Sequence, residues 1–349
     1  MMNMTQIKIA AALGALLSSV VWASPISPAV RSLIPSNVQQ IISVDFSIVK
    51  KSESAMTLKA QVLPDNLKEF ENALKNVGVN PDRDLESLTF ASFVNGKQGL
   101  TMVAVASGSF SSKTVLTQIL LQKVKPVKYS GSDIYPVSKT MDMTFLDDNT
   151  LLLGNDGAVR AALNVRDGHD ANVDSNREIT DMIKTVQKAA VWSVLDQQGS
   201  QNMLLSALGD ASKLPEFENL KKQVAGSRYM MSFNQGFKLY VDVLTADDTT
   251  SSKLSSLLKA GVLYKKVTGT PAQKLALENM TVTSELVKPA SNRSHLKMQF
   301  SVDQIQFQKL LQSNCFMAVS KERKELSGVT SGEVTNPLKP VEGTSSRPE

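Results

Sequence analysis

Hydrophobic and polar positions along this chain form patterns that predict both helices and strands. Pro64 to Val77 carries apolar residues at helical spacing, with Pro at its start and Gly78 directly after its end. Leu88 to Val94 and Leu100 to Ala106 are largely apolar runs on either side of Asn95-Gly96, which is the signal of a β-hairpin. Hairpins of this kind dominate over strand–helix–strand crossovers. The pattern therefore predicts an α+β fold with mainly antiparallel sheets, each covered on one face by helices.

The same patterns predict further elements as far as residue 311. In chain order we predict a helix around 115–120, strand pairs over 127–137 and 141–153, helices at 156–164 and 176–189, a strand at 191–195, a helix at 215–224, strands at 229–233 and 237–244, a helix at 248–263, strands at 280–287 and 296–302, and a helix at 304–311.

Three short sequences recur in the same order in the two halves of the chain. Each match is weak by itself, but their shared order predicts two copies of one unit. A Leu-Pro pair precedes the first sequence in both halves, and the last two pairs share an offset of 140 residues. The pairs are Glu69-Phe70-Glu71-Asn72 with Glu216-Phe217-Glu218-Asn219, Ser92-Phe93 with Ser232-Phe233, and Ser111-Ser112-Lys113 with Ser251-Ser252-Lys253.

The start of the chain has the pattern of a secretory signal. Lys8 precedes an apolar or small run from Ile9 to Val21, and small residues before position 24 predict cleavage after Ala23. The run is too short to span a bilayer. We therefore predict an exported periplasmic or extracellular protein, soluble after cleavage and with no transmembrane span. The predicted divisions are a signal peptide at 1–23, repeat units at 24–196 and 197–318, and a disordered polar tail at 319–349.

Charge and cysteine content exclude several functional classes. The chain has 38 Lys and Arg against 33 Asp and Glu, and its basic residues are scattered among acidic ones. With only 5% aromatic residues as well, nucleic-acid binding is not indicated. Cys315 is the one cysteine, so an internal disulfide and a Cys-based metal site are excluded. Its apolar neighbours favour a small buried side chain over a reactive thiol.

Catalysis based on histidine has little support. His169 and His295 are the two histidines, and no nucleophile turn of the G-x-S-x-G type accompanies either of them. We predict no catalytic residues and no cofactor.

One segment has the oxygen spacing of a calcium loop. Asp170, Asn172 and Asp174 occupy every second position of a segment between two predicted helices. Asp181 is the twelfth residue counted from Asp170, where such loops carry their last ligand. The turn glycine is replaced by Ser175, and Asp181 is shorter than the usual Glu. A polar connection that ends in a capping box of Ser175 and Glu178 explains the same residues without a metal. Both interpretations stay open, and the second is favoured.

Several short motifs resemble a family of exported bacterial proteins of unknown function that are built from two repeated α+β units. The resemblance covers roughly residues 32–311 and implies fold and location, but it carries over no catalytic residue. Its motifs are Leu33-Ile34-Pro35 before a strand, the run Asn80 to Leu85, the strand-to-helix step at Leu151 to Val159, and Val191-Trp192-Ser193-Val194.

These observations favour a non-catalytic binding or interaction module of the cell envelope. The expected ligand is an unknown envelope protein or an apolar small molecule, held between the units or in a cleft between sheet and helix. Two alternatives remain. An envelope hydrolase that uses carboxylates requires a deep cleft with two facing carboxyl groups. A purely structural envelope protein requires no cleft.

Overall fold

A computed structural model describes residues 26–63, 65–208, 215–286 and 293–313. The predicted signal and its cleavage site, Cys315 and the predicted tail lie outside these residues. Twelve strands are described: β1 (Val38–Asp45), β2 (Leu85–Val94), β3 (Leu100–Gly108), β4 (Val127–Tyr129), β5 (Ser132–Pro136), β6 (Asp142–Asp147), β7 (Thr150–Gly154), β8 (Val191–Leu195), β9 (Val224–Ser232), β10 (Phe237–Thr245), β11 (Met280–Leu286) and β12 (Ser294–Val302).

All twelve strands belong to one antiparallel sheet. Their order is β11-β12-β10-β9-β8-β1-β2-β3-β7-β6-β5-β4. Near the middle of this order β1 pairs with β8, and Ile42 there lies opposite Ser193. We call the strands from β1 to β4 in this order the first half of the sheet and those from β8 to β11 the second half. The predicted α+β class with antiparallel pairing is confirmed. The expectation of separate sheets is wrong, because β8 of the predicted first unit pairs with β9 of the predicted second unit, which makes the sheet continuous.

Thirteen α-helices are described in the same residues. They are α1 (Pro28–Arg31), α2 (Phe46–Val49), α3 (Glu53–Val62), α4 (Asp65–Asn76), α5 (Pro81–Asp84), α6 (Ser112–Leu121), α7 (Asp156–Arg166), α8 (Arg177–Val186), α9 (Gln197–Leu208), α10 (Pro215–Lys222), α11 (Asp248–Thr268), α12 (Pro271–Glu278) and α13 (Gln304–Gln312).

Short polar side chains fix where the helices begin. Asn155 accepts a hydrogen bond from the Ala158 amide at the start of α7, and Asn176 accepts one from the Ile179 amide at the start of α8. The capping box predicted at Ser175 is therefore wrong by one residue. The Ser175 hydroxyl instead donates to the carbonyl oxygen of Asn172.

Helices cover both faces of the sheet in its first half. We call the face that carries Ile41 and Trp192 face A, and the face that carries Ile42 and Ser193 face B. On face A, α7 and α8 bury a cluster that includes Phe93. On face B, α4 and α6 bury a second cluster around Phe90, whose ring meets that of Phe70 edge-on at 5.3 Å. The expectation that helices cover one face is therefore wrong for this half.

Beyond β8, the buried apolar side chains of the second half of the sheet form clusters on face B. Val243 and Leu296 are buried there together with Phe217 of α10 and Leu254 of α11. A neighbouring cluster forms where Phe237 stacks on Phe307 of α13, with ring centroids 4.8 Å apart.

On face A, Met230 of β9 and Leu244 of β10 pack against the cluster of the first half. The polar side chains Arg228, Asp242 and His295 lie on the same face.

Candidate functional site

A buried ionic network crosses three strands on face A. Asp242 of β10 lies directly opposite Arg228 of β9. It lies diagonally across from His295 of β12, which is two positions from Lys297, the direct partner of Asp242. Arg228 donates from Nε and Nη2 to Oδ2 of Asp242, at 3.0 and 2.7 Å. Nδ1 of His295 lies 2.9 and 3.0 Å from the two carboxylate oxygens. Asp242 and His295 are both buried, so the sheet holds a charged cluster away from water.

The surroundings of Asp242 favour its charged form. Burial alone raises the pKa of its carboxyl group, but hydrogen bonding from His295 and the charge of Arg228 outweigh burial. The pKa of Asp242 is therefore below its ordinary value of 3.8. A carboxylate that is ionised and fully hydrogen-bonded is suited to hold its neighbours in place, since both of its oxygens are already occupied.

The network also ties a helix to the sheet. Nη1 of Arg228 donates to the hydroxyl of Thr185 in α8, at 2.6 Å. Both hydrogen bonds described for the His295 side chain run from Nδ1 to the carboxylate of Asp242. Sequence reasoning singled out His295 but missed Asp242 and Arg228. The arrangement supports a positioning role for Asp242, which holds Arg228 and His295 in place.

The four residues of the calcium-loop hypothesis are not brought together around a common point. Asp174 is paired with Arg31, and Asp181 pairs with Lys184 at 2.7 Å on the exposed side of α8. Asn172 uses its side-chain oxygen to accept from the amide of Asp174, and Asp170 is exposed. In the described part of the chain, no three His, Cys, Asp or Glu side chains are grouped closely enough to hold a metal ion.

A pair of interacting carboxylates lies where β6 meets the start of α7. Asp142 is opposite Gly154 of β7, and Asp156 is the first residue of α7 and pairs with Arg160 at 2.7 Å. Burial first, and the charge of Asp156 second, raise the pKa of Asp142, whereas Arg160 opposes them. The groove described below lies in the other half of the sheet, so these carboxylates do not line it.

Replacing Asp142 with Asn is expected to raise the free energy of unfolding at pH 7. A raised pKa means that the folded state prefers the protonated carboxyl group. The ionised carboxylate therefore destabilises the folded state, and this destabilisation is fully present above the raised pKa. The cost disappears as the pH falls below 3.8, the ordinary value. Urea unfolding of Asp142→Asn should therefore show a gain at pH 7 and none at pH 3. The exposed control Asp170→Asn should show no gain at either pH, and an unchanged midpoint of Asp142→Asn at pH 7 contradicts the prediction.

A small groove lies on face B between α11 and β11. It has a volume of about 220 Å³ and is lined by Lys259, Val262 and Leu263 of α11 with Met280 and Val282 of β11. Val282 is buried, whereas Leu263 is 64% exposed. The floor of the groove therefore belongs to the core, and its outer wall is open to solvent.

Exposed apolar side chains continue from this groove along the last turns of α11. Tyr264 and Val267 are 66% and 76% exposed, and with Leu263 they form what we call the α11 patch. Helices of globular proteins usually bury such residues against the core. The N-terminal half of α11 does so with Leu254, which is fully buried. The sequence prediction ended this helix at Leu263, so it missed the last turns that carry the patch.

Comparison with known proteins adds little to this geometry. No family model matches the chain, and no curated protein shows significant similarity to it. One solved structure, described as "Structure of crystal form I of TP0453", is similar over 84% of this chain and 99% of that chain, with a TM-score of 0.43 and 8% sequence identity. No helix among the described residues combines the length and apolarity needed to cross a membrane.

Proposed function

We propose that this protein is an exported, non-catalytic binding module made of two copies of one α+β unit, and that a protein partner docks at the α11 patch. The observation that carries the docking proposal is the run of exposed Leu263, Tyr264 and Val267 beside an open apolar groove. Contiguous patches of exposed apolar side chains are uncommon on soluble proteins and often mark interaction sites, whereas single exposed apolar side chains are ordinary.

The order of the strands supports the duplication. Counted outward from the β1–β8 junction, one half runs β1-β2-β3-β7-β6-β5-β4 and the other runs β8-β9-β10-β12-β11. In each half the first three strands follow chain order and the next two are in reverse order, and the β1 half continues with β5 and β4, which have no counterpart in the other half. A single unit, repeated and joined edge to edge, produces this symmetry.

The recurring sequences fall on equivalent elements of the two halves. Phe70 lies in α4, between the first and second strands of one half, and Phe217 lies in α10, between the first and second strands of the other. Both side chains are buried. Ser92 belongs to the second strand of its half, as does Ser232. This correspondence favours a unit boundary just before Val191, in place of the one predicted after residue 196.

The size of the groove favours a protein over a small molecule as the ligand. Sites for small molecules usually enclose roughly 300–1,000 Å³ and bury most of the ligand. A groove of about 220 Å³ with an exposed wall falls below that range. It is large enough for one or two apolar side chains of a partner, and the α11 patch extends the contact beyond it.

Position-specific crosslinking in the producing cell tests the docking surface. Tyr264 is replaced by the photo-crosslinker benzoylphenylalanine, and the same replacement is made at Leu121 and Ile305, which are 70% and 67% exposed. We expect a discrete adduct from position 264 alone. The adduct should be lost when Leu263→Ser and Val267→Ser are added, with the free energy of unfolding changed by less than about 0.5 kcal/mol because both side chains are exposed.

The control positions decide how the result is interpreted. Equal adducts from positions 264, 121 and 305 would mean that any exposed apolar residue is captured, and the α11 patch would then have no special role. The absence of an adduct at position 264 would also contradict the proposal.

A further inference from the structure

The two ends of the sheet differ in how they are protected from pairing. Free edge strands attract other chains, and proteins usually shorten them, bend them with a bulge, or place Pro or Lys on them. The strand at one end, β4, has three residues and carries Lys128. The strand at the other end, β11, has seven residues, with the sequence MTVTSEL. It pairs with β12 in an unbroken register from Met280 to Leu286. β11 therefore has no bulge, Pro or Lys, and Glu285 is its one charged residue.

The sequence of β11 is also favourable for strand pairing. Thr281, Val282 and Thr283 are β-branched in succession, and such residues are enriched in strands. Thr281 and Thr283 are exposed on face A, whereas Val282 is buried on face B beneath the groove. A strand added beside β11 would therefore meet a polar surface on face A and the apolar groove and α11 patch on face B.

Charge on α11 identifies the kind of strand that fits. Residues 248–268 contain four lysines, at positions 253, 259, 265 and 266, against one acidic residue, Asp248, and β11 adds one further acidic residue, Glu285. Lys259 lines the groove itself. A second copy of this chain would bring two such helices together, and like charges would oppose that pairing. An acidic partner is attracted instead.

We propose that β11 accepts an extended segment of a partner protein as a thirteenth strand, and that this segment alternates apolar with polar residues and carries acidic residues at its ends. The inference rests on the proposed function, because it specifies what docks at the same surface. Backbone hydrogen bonds to β11 supply affinity. Apolar side chains at every second position enter the groove and supply specificity.

Synthetic peptides test the recognition mode on the full protein. The probe is a fluorescent peptide as long as the seven residues of β11, with Val and Ile alternating with Thr and with Glu at both ends. Binding is measured by fluorescence anisotropy. Two further peptides carry N-methyl groups on alternate residues, one at odd and one at even positions. In an added strand, only every second amide faces the edge that it joins.

The expected affinity depends on whether the N-methyl groups lie at odd or at even positions of the peptide. One N-methylated peptide should lose at least about tenfold in affinity, because it loses several backbone hydrogen bonds, and the other should bind nearly as well as the parent. A peptide with Lys at both ends, and one with the same residues in a non-alternating order, should each bind at least about tenfold more weakly. Leu263→Ser with Val267→Ser should weaken binding, whereas the matched control Leu120→Ser with Leu121→Ser should not.

Other results separate this inference from the proposed function. Equal binding of the two methylated peptides would overturn the assignment of an added strand. Binding of the Lys-ended peptide with the affinity of the parent peptide would overturn the assignment of acidic residues at the ends of the segment. If binding still requires Leu263 and Val267, the α11 patch remains a docking site. No binding of any peptide, together with a specific adduct at position 264, overturns the inference alone. A dimer in light scattering that Leu263→Ser with Val267→Ser dissociates would assign the edge to a second copy, which also overturns it.

Discussion

Replacement of Asp242 by Ala is expected to lower the free energy of unfolding by about 3–5 kcal/mol, because it leaves buried cationic and polar groups without their shared partner. Arg228 loses two hydrogen bonds at 3.0 and 2.7 Å, and His295 loses its contacts at Nδ1. Removal of one member of a buried ion pair costs more than the pair contributes, since the remaining charge stays desolvated. Urea denaturation at pH 7 measures the change.

A matched control separates burial from charge. Asp181→Ala also removes a carboxylate from an ion pair, but the side chains of Asp181 and Lys184 are 70% and 69% exposed. Exposed pairs contribute about 0–1 kcal/mol. The control should therefore change stability by well under half of the Asp242→Ala effect. Similar losses from both substitutions would show that the network is not desolvated as described.

The same network predicts a dependence on pH. The pKa of Asp242 is lowered in the folded state, so its stabilising contribution is fully present above 3.8, the ordinary value, and is lost as the pH falls through the lowered value. Asp242→Asn cannot titrate at this position. The stability difference between the parent protein and Asp242→Asn should therefore be largest near neutral pH and should shrink below about pH 4.

The pattern of apolar residues predicts the bounds of strands in this fold, but it does not predict the buried ionic network. The periodicity of β10 gives 237–244 from sequence, against Phe237–Thr245 in the structure. The strand expected after Leu33-Ile34-Pro35 ends at Asp45, because the Asp45 side chain accepts from the Ile48 amide and starts α2. The ionic network could not be predicted in this way. It requires the pairing register of three strands, and a shift of one residue would turn Asp242 to the other face.

Two of the helices that the sequence analysis missed, α12 and α9, were missed for different reasons. In α12, Thr270 and Gln273 form a capping box and Pro271 follows the cap, so a usable start signal was present but was not recognised. In α9 the sequence QQGSQNMLLSAL has many polar residues and a glycine, and it has little amphipathic character of its own. Gly199 there lies so close to the Gln39 carbonyl oxygen that a Cβ would be only 2.6 Å away. Packing against the sheet therefore determines this helix.

The largest effects on stability are expected from Phe70→Asp and Phe217→Asp. Each substitution removes a buried aromatic side chain and introduces a charge into a core, at a cost of about 3–5 kcal/mol or more. Phe70 packs edge-on against Phe90, and Phe217 is fully buried beside Leu254 and Leu296. The matched controls are Asn72→Asp and Asn219→Asp, exposed positions on the same two helices, which should stay within about 0.5 kcal/mol of the parent.

Both substitutions should shift one shared unfolding transition, although they lie in different halves of the chain. The β1–β8 pairing makes the sheet continuous, and Ile41 of β1 is buried in the same cluster as Trp192 of β8. A half that unfolds alone would expose this common core, so its unfolding free energy includes contacts from the other half. Hydrogen exchange of β3 and β10 should then accelerate together in either variant. Exchange that accelerates only in the strand of the substituted half would mean that the two halves unfold independently.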